Sequence, residues 1–289
     1  MKKLLIVLSL VLLCACSSAG NYSYPQNKDE VLFKGPNNVS YTKNELYKSL
    51  KLTSQSAITS NILKNIALSY DEINMEDLEK EAQDFVDEYI EMGYESYIIS
   101  YYGSLENYKK SYIESLLIHE LSHIYAENNF DSLVNENKPV KMQMASFSTV
   151  EEAQKCIDDF NNGSTFDMAA VNNNSLTTAE SQVYSDTDTS IAFEVKQYLN
   201  ETDTLGISSI ITHSDVTTAA DGSTSENNTY YVLNVESRNV EDFKEDFIHL
   251  MGEKTTTETL QNYFFEKHDI KFYDQDLYEL MSSAFEVLK

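Results

Sequence analysis

The stretch VKMQMASFSTVEEAQKCIDDFNNG, residues 140–163, carries three structural signals in a row. Val140, Met142 and Met144 alternate with polar residues, which is the period of a strand with one buried face. Ser148–Glu151 has the spacing of a capping box and predicts the start of a helix. Gly163 predicts the end of that helix, because glycine readily adopts the left-handed conformation of a C-terminal cap. The stretch therefore predicts a strand followed directly by a helix.

Further alternating segments extend this pattern toward the C-terminus. Tyr231, Leu233 and Val235 share one face of a second predicted strand at 229–235. A short helix is predicted at 192–199 and a short strand at 207–212. The segments rich in Asn, Ser, Thr and Asp are predicted to be loops, at 172–190 and 215–228. Residues 139–238 are therefore predicted to form a small α/β domain.

The segments on either side of this domain have the spacing of helices. Thr42–Glu45 is a capping box, and helices are predicted at 42–50, 55–69, 74–92 and 104–128. The helical pattern resumes at Val240 and continues to the end of the sequence. The predicted fold class is α+β. An all-helical domain is built from residues 39–138 and 239–289, and the small α/β domain is inserted between them.

The N-terminus has the pattern of an export signal. Lys2 and Lys3 precede an apolar run from Leu4 to Leu13, which is typical of a secretory signal peptide. The run of about ten residues is too short to cross a bilayer as a helix. Leu13-Cys14-Ala15-Cys16 resembles the bacterial lipobox. We therefore predict a signal peptide at 1–15, lipid attached to Cys16, and a tether at 16–38 that holds the protein at the extracytoplasmic face of the cell membrane.

Composition excludes some classes of partner. The formal net charge of the 289 residues is −26, which argues against nucleic acid as a partner. Cys156 is the other cysteine of the predicted mature chain, so no intramolecular disulfide is expected, and we interpret it as a small buried hydrophobic residue. Tryptophan is absent, whereas tyrosine occurs 20 times. No cofactor is expected.

The order of these elements resembles the PrsA-type foldase lipoproteins, which belong to the parvulin-type peptidyl-prolyl isomerase family and have a SurA-like helical chaperone region. The resemblance spans most of the predicted mature chain, and its order of elements is more specific than any one motif. It implies a membrane-anchored chaperone that binds unfolded or partly folded exported proteins, and a homodimer through the helical region is compatible with it. The segments that carry it are 39–47, 74–81, 105–117, 140–141, 149–153, 162–166 and 268–272.

Two positions depart from the family pattern. Active parvulins have a histidine on the first strand and another on the last, and the resemblance places Met144 and Tyr231 at these positions. The glycine-rich loop of the family is replaced by the polar segment 172–190. The prediction is an extracytoplasmic foldase and chaperone with a degenerate parvulin domain. Active isomerase catalysis stays open as an alternative.

A second alternative comes from His119-Glu120-Leu121-Ser122-His123, which matches the H-E-x-x-H pattern. On a helix the two histidines share a face and can chelate zinc, with Glu120 as general base of a surface metalloprotease. A catalytic zinc needs a third protein ligand. The candidates in the sequence are Glu136, Glu151 and Glu152. The alternative interpretation places both histidines in ordinary helix packing.

Overall fold

The structure, a computed structural model, describes residues 27–34, 40–53, 55–218 and 224–285. Cys16 and the predicted signal peptide lie outside these residues. The chain folds into two compact units. The first comprises Met1–Ser122 and Thr255–Lys289, and the second comprises His123–Lys254. Among the described residues, no helix combines the length and apolar character that crossing a bilayer requires.

The first unit begins with a short hairpin and continues as helices. Strands β1 (Val31–Lys34) and β2 (Ser40–Thr42) pair antiparallel, so part of the segment predicted as a tether forms a strand. The helices are α1 (Lys43–Thr53), α2 (Gln55–Ala67), α3 (Met75–Glu91), α4 (Glu95–Tyr102) and α5 (Leu105–Asn128). Helix α5 continues from the first unit into the second. Helix α4 was not predicted from the sequence.

The second unit contains a five-stranded antiparallel sheet with short helices. Strand β7 is central, and the strand order is β4-β3-β7-β5, with β6 also pairing with β7. The fold class is therefore α+β, as the sequence predicts. The elements are α6 (Phe130–Asn137), β3 (Val140–Phe147), α7 (Val150–Asn161), α8 (Phe166–Asn172), β4 (Gln182–Tyr184), α9 (Phe193–Glu201), β5 (Gly206–Ile207), β6 (Ile211–Thr218), β7 (Thr224–Ser237) and α10 (Lys244–Lys254).

The two faces of this sheet are covered by different helices. Ala145 and Phe147 of β3 are buried in a cluster with Ala153 and Cys156 of α7. Met142, from the opposite face of β3, is buried in a second cluster with residues of α9. Because side chains alternate along a strand, one strand supplies both clusters. Burial raises the pKa of the Cys156 thiol to about 11, which agrees with its interpretation as a buried hydrophobic residue.

Both predicted helix caps form, but the second lies one residue later than the sequence predicts. The Glu45 amide donates to Thr42 Oγ1 at 3.3 Å, and the Thr42 amide donates back to Glu45 Oε2 at 2.7 Å. At α7 the cap is Thr149, whose Oγ1 accepts from the Glu152 amide at 3.2 Å. The predicted box at Ser148–Glu151 is therefore wrong by one position. Two adjacent hydroxyl residues precede two adjacent glutamates, so the pattern alone is ambiguous.

Two segments predicted to be loops contain strands. Strand β4 lies within the polar segment 172–190, and β6 with β7 extends through most of 215–228. The pairing of β6 with β7 runs from Ile211↔Tyr231 to Thr218↔Thr224. Much of this hairpin is solvent-exposed, so its sequence lacks the apolar alternation that reveals a half-buried strand.

The last two helices complete the first unit. They are α11 (Thr257–Lys267) and α12 (Gln275–Ala284), which pack against α2 and α1. Tyr47 Oη of α1 donates to Asp274 Oδ2 at 3.0 Å, while Asp274 Oδ1 caps α12 by accepting from the Leu277 amide. Segments from both ends of the described chain thus build one unit, with the second unit inserted between them.

Candidate functional site

A cavity of about 350 Å³ in the first unit is lined almost entirely by tyrosines. Its walls come from α3, α4 and α5. Gly103, with φ of +80°, ends α4 and lets the chain turn into α5. We call this cavity the tyrosine pocket, and its lining residues are Tyr89, Tyr94, Tyr97, Ile98, Tyr101, Tyr102 and Tyr108.

The rim of the tyrosine pocket is unusually exposed for aromatic residues. Tyr97 and Tyr101 have exposed fractions of 64% and 72%. Ile98 is buried beneath them, and the rings of Tyr102 and Tyr108 lie 4.8 Å apart between centroids. An exposed cluster of large aromatic rings is typical of a surface that binds a partner, since each ring offers an apolar face and a polar hydroxyl.

The tyrosine pocket rests on an ordered aromatic layer between α3 and α5. Phe85 stacks on Tyr112 with centroids 3.9 Å apart and an interplanar angle of 4°. The ring centroids of Phe85 and Tyr89 lie 4.6 Å apart. Burial raises the pKa of the Tyr112 phenol, with a further contribution from Glu81. This layer fixes the spacing of the two helices and therefore the shape of the pocket above it.

The segment that supplies most of the tyrosine pocket is acidic. Residues 88–106 contain every lining residue except Tyr108 and include four glutamates and no lysine or arginine, whereas Lys109 and Lys110 directly follow Tyr108. All four are exposed: Glu88, Glu91, Glu95 and Glu106. Aromatic faces attract cations as well as apolar groups. The surface therefore favours chain segments that combine apolar or aromatic residues with lysine or arginine.

The positions that the resemblance assigns to the parvulin histidines lie on one face of the second unit's sheet. Met144 pairs with Leu233, and Tyr231 pairs with Ser146, so the two residues are diagonal neighbours on adjacent strands. Both pack, partly buried, against the cluster that contains Met142 and Leu233. A thioether and a phenol thus lie on this face at the positions to which the resemblance assigns the parvulin imidazoles.

A histidine that the sequence did not single out lies near Tyr231. His213 Nδ1 is 2.7 Å from Glu194 Oε2, and His213 Nε2 is 3.2 Å from Asp215 Oδ1. The hydrogen bond to Glu194 is the main cause of a raised His213 pKa. Burial raises the pKa of Tyr231, and the Asp215 and Glu194 carboxylates add to this. The spacing of His213 and Asp215 could have indicated this cluster from the sequence, because residues two apart on a strand project from the same face.

This cluster predicts a pH dependence of stability. The pKa of His213 is higher in the folded protein than in the unfolded chain, so the protonated imidazole stabilises the fold. The contribution is fully present below the unfolded pKa of about 6.5 and is lost as pH rises through the folded value. We expect the difference in urea midpoint between wild type and His213→Gln to be larger at acidic than at alkaline pH. A pH-independent difference would contradict this assignment.

The H-E-x-x-H residues lie where α5 passes from one unit into the other. His119 and Glu120 belong to the first unit, and His123 begins the second. The two histidines are separated by one turn of the helix, as predicted. Of the carboxylates considered as a third ligand, Glu136 accepts from Ser132 Oγ at 3.1 Å, and Glu152 takes part in the cap of α7.

The second unit instead brings His249 of α10 to His123. The two rings meet edge to face with centroids 5.3 Å apart, and each offers a nitrogen within 4.8 Å of the other. Gly252 leaves the space for this contact, because a Cβ at that position would lie 2.6 Å from His123 Cδ2. The sequence did not predict the role of His249, since more than a hundred residues separate it from the motif.

Comparisons with known proteins gave structural similarities only. No protein-family model matches the sequence, and no curated protein gives a significant match. The chain is similar to foldase protein PrsA from Streptococcus pneumoniae, with 18% identity, a TM-score of 0.44, and coverage of 86% of this chain and 97% of that chain. It is similar to peptidylprolyl isomerase PrsA from Bacillus cereus, with 12% identity, a TM-score of 0.44 and coverage of 86% and 96%. For foldase protein PrsA from Lactococcus lactis the identity is 14%, the TM-score 0.43 and the coverage 89% and 99%.

Proposed function

We propose that this protein is a lipid-anchored extracytoplasmic foldase of the PrsA type that holds partly folded exported proteins. The observation that carries the proposal is the tyrosine pocket, in which exposed rings surround a cavity of about 350 Å³. Its clients are segments that an exported chain has not yet buried. Export and anchoring rest on the sequence signal that ends at Cys16.

The chemistry of the tyrosine pocket suits short-lived holding of many sequences. Tyrosine binds through a large, nearly rigid ring, so little conformational entropy is lost when a partner docks. Apolar contact with the rings tolerates different side chains, and the surrounding carboxylates add attraction for basic segments. A surface of this kind binds each client weakly and releases it as the client folds and buries its own apolar residues.

The proposal is tested by the aggregation of an unfolded client. A basic, aggregation-prone protein is diluted from denaturant, and light scattering is followed with increasing amounts of the mature protein. We expect scattering to fall as the ratio of this protein to client rises, and to fall less at high salt because the acidic contribution is screened. Undiminished scattering at an excess of this protein would contradict the proposal.

The proposed holding function does not require isomerase catalysis. The barrier to rotation about a peptide bond is about 18–20 kcal/mol, and the family arranges its pocket around two histidines. The resemblance places Met144 and Tyr231 at the corresponding positions. The holding function depends on the tyrosine pocket in the first unit and does not need the missing imidazoles.

Zinc binding is a second candidate function, favoured by the contact between His123 and His249. Two imidazoles whose nitrogens lie within 4.8 Å of each other need modest side-chain rotations to share one ion. His249 Nε2 also lies 3.4 Å from Glu253 Oε1, which supplies a carboxylate donor in the same unit. The metalloprotease interpretation further requires His119 and Glu120 from the preceding turn of α5.

Titration of the metal-free mature protein with Co²⁺ tests the zinc candidate. We expect absorption bands of bound cobalt in the wild type and at least a tenfold weaker affinity in His123→Ala and His249→Ala, because each change removes one ligand. His268→Ala is the matched control, since it removes an imidazole elsewhere in the chain. The candidate is excluded when cobalt binding is absent or when the control loses as much affinity as the other two variants.

A further inference from the structure

The second unit contains a cavity of about 290 Å³ that is separate from the tyrosine pocket and whose lining does not include Met144 or Tyr231. It lies where β3 begins and where β4 and β7 end, beside α9. Its lining combines apolar side chains with polar ones, among them Lys138, Asp186, Lys196, Asn200, Asp203 and Arg238.

The cavity is cationic in a strongly acidic protein. Lys138, Lys196 and Arg238 contribute three positive charges, and Asp186 and Asp203 contribute two negative ones. The balance is one positive charge, in a chain whose net charge is −26. A monoanion would neutralise it, whereas a dianion such as phosphate would leave excess negative charge beside two aspartates.

Arg238 has an unused hydrogen-bonding edge. Its Nη1 donates to the Leu199 carbonyl oxygen at 3.0 Å, near the C-terminal end of α9, which fixes the side chain. Its Nε and Nη2 are buried and have no hydrogen-bond partner among the described residues. Nε and Nη2 form the side of the guanidinium that binds a carboxylate through two parallel hydrogen bonds. Buried donors of this kind are rare without a partner, and each such case calls for an explanation.

The other polar groups of the cavity hold one another in place. Lys196 Nζ donates to the Asp186 carbonyl oxygen at 2.8 Å, and Asn200 Nδ2 donates to Asp186 Oδ1 at 3.1 Å. These contacts tie the end of β4 to α9. The charge of Lys196 remains in the cavity, and the Asp186 carboxylate is hydrogen-bonded to Asn200, not to Arg238.

We propose that this cavity binds a carboxylate attached to an apolar group, with Arg238 as the bidentate ligand. The apolar lining from Val140, Ile191 and Leu199 would surround the attached group. The volume is close to the lower end of ordinary ligand pockets, so it holds about one apolar side chain beside the carboxylate. Because Nε and Nη2 are closed to bulk water, binding of the carboxylate requires a side chain of the cavity wall to move. The C-terminus of a peptide and a free branched-chain acid share this chemistry.

Fluorescence anisotropy with a labelled peptide tests the proposal on the full mature protein. The peptide ends in leucine and is used as the free acid and as the C-terminal amide, in a carboxylate-free buffer. We expect the acid to bind at least about tenfold more tightly than the amide, because a hydrogen-bonded ion pair is lost in the amide. Competition with 4-methylpentanoate distinguishes the sources. If 4-methylpentanoate displaces the peptide with an affinity equal to that of the peptide acid, the site is assigned to a free acid. If it binds more weakly than the peptide acid, the site is assigned to a peptide C-terminus.

Substitutions of Arg238 connect this preference to the proposed ligand. Arg238→Gln should reduce the affinity for the peptide acid to that for the amide and leave the affinity for the amide unchanged. Arg238→Lys keeps the positive charge but not the two parallel donors, so it should recover part of the affinity for the acid. Circular dichroism checks that both variants fold. Equal affinity of the wild type for the acid and the amide overturns the proposal without any variant. The same result is expected if the Asp203 carboxylate turns inward and pairs with Arg238. The site does not depend on the tyrosine pocket, so Tyr97→Ser/Tyr101→Ser should retain acid binding even where holding fails.

Discussion

The double substitution Tyr97→Ser/Tyr101→Ser is expected to remove most of the holding activity toward an unfolded basic client. The two rings are the most exposed of the tyrosine pocket, at 64% and 72%, and they form its rim. Their loss removes the largest accessible aromatic surface of the site. Several-fold more protein should then be needed to suppress half of the light scattering.

The matched control for this change is Tyr273→Ser. Tyr273 is 65% exposed and does not line the tyrosine pocket. Substitutions of such exposed residues usually change the free energy of unfolding by no more than about 0.5 kcal/mol, so all variants should remain folded. Equal effects of Tyr273→Ser and the double substitution on holding, or no effect of either, would show that clients do not bind at the tyrosine pocket.

Leu233→Ala is expected to destabilise the second unit by about 2–5 kcal/mol. Leu233 lies on the central strand β7, is fully buried, and packs in the cluster with Met142, Val195 and Ile211. Removing its branched end leaves a cavity between the sheet and α9 that the neighbours can only partly fill. Urea denaturation followed by far-ultraviolet circular dichroism measures the loss as a lower midpoint.

Val216→Ala provides the comparison for this experiment. Val216 lies on β6 with 64% of its surface exposed, so shortening it removes little buried surface. Its midpoint should stay close to that of the wild type. A shift in Leu233→Ala no larger than that in Val216→Ala would show that the cluster beneath α9 is not the core described here.

The fold could be predicted where apolar residues keep a regular period. Strand β3, helix α7 and strand β7 each have a regularly spaced apolar face, and on the strands the alternation of Val140 and Met142 or of Leu233 and Val235 displays it. Strand β4 and the outer part of β6 could not be predicted. Strand β4 has only three residues, too few to show an alternation, and the outer part of β6 pairs through backbone hydrogen bonds between mostly polar, exposed residues.

The candidate sites could be predicted less well, because they depend on residues that meet only after folding. The sequence shows many tyrosines but does not show that α3, α4 and α5 place six of them around one cavity. In the same way, Arg238 and Lys138 are a hundred residues apart, and the contact of His123 with His249 requires the close approach that Gly252 permits. The spacing of His119 and His123 is local and was predicted.

Site-specific photocrosslinking distinguishes client binding at the tyrosine pocket from client binding elsewhere on the protein. A photoreactive phenylalanine analogue is placed at position 101 or, as control, at position 273 of the mature protein, and an unfolded client is added before illumination. We expect covalent adducts with the client from position 101, few from position 273, and loss of the adducts once the client has folded. Equal labelling from both positions, or none from position 101 while aggregation is suppressed, would contradict the assignment of client binding to the tyrosine pocket.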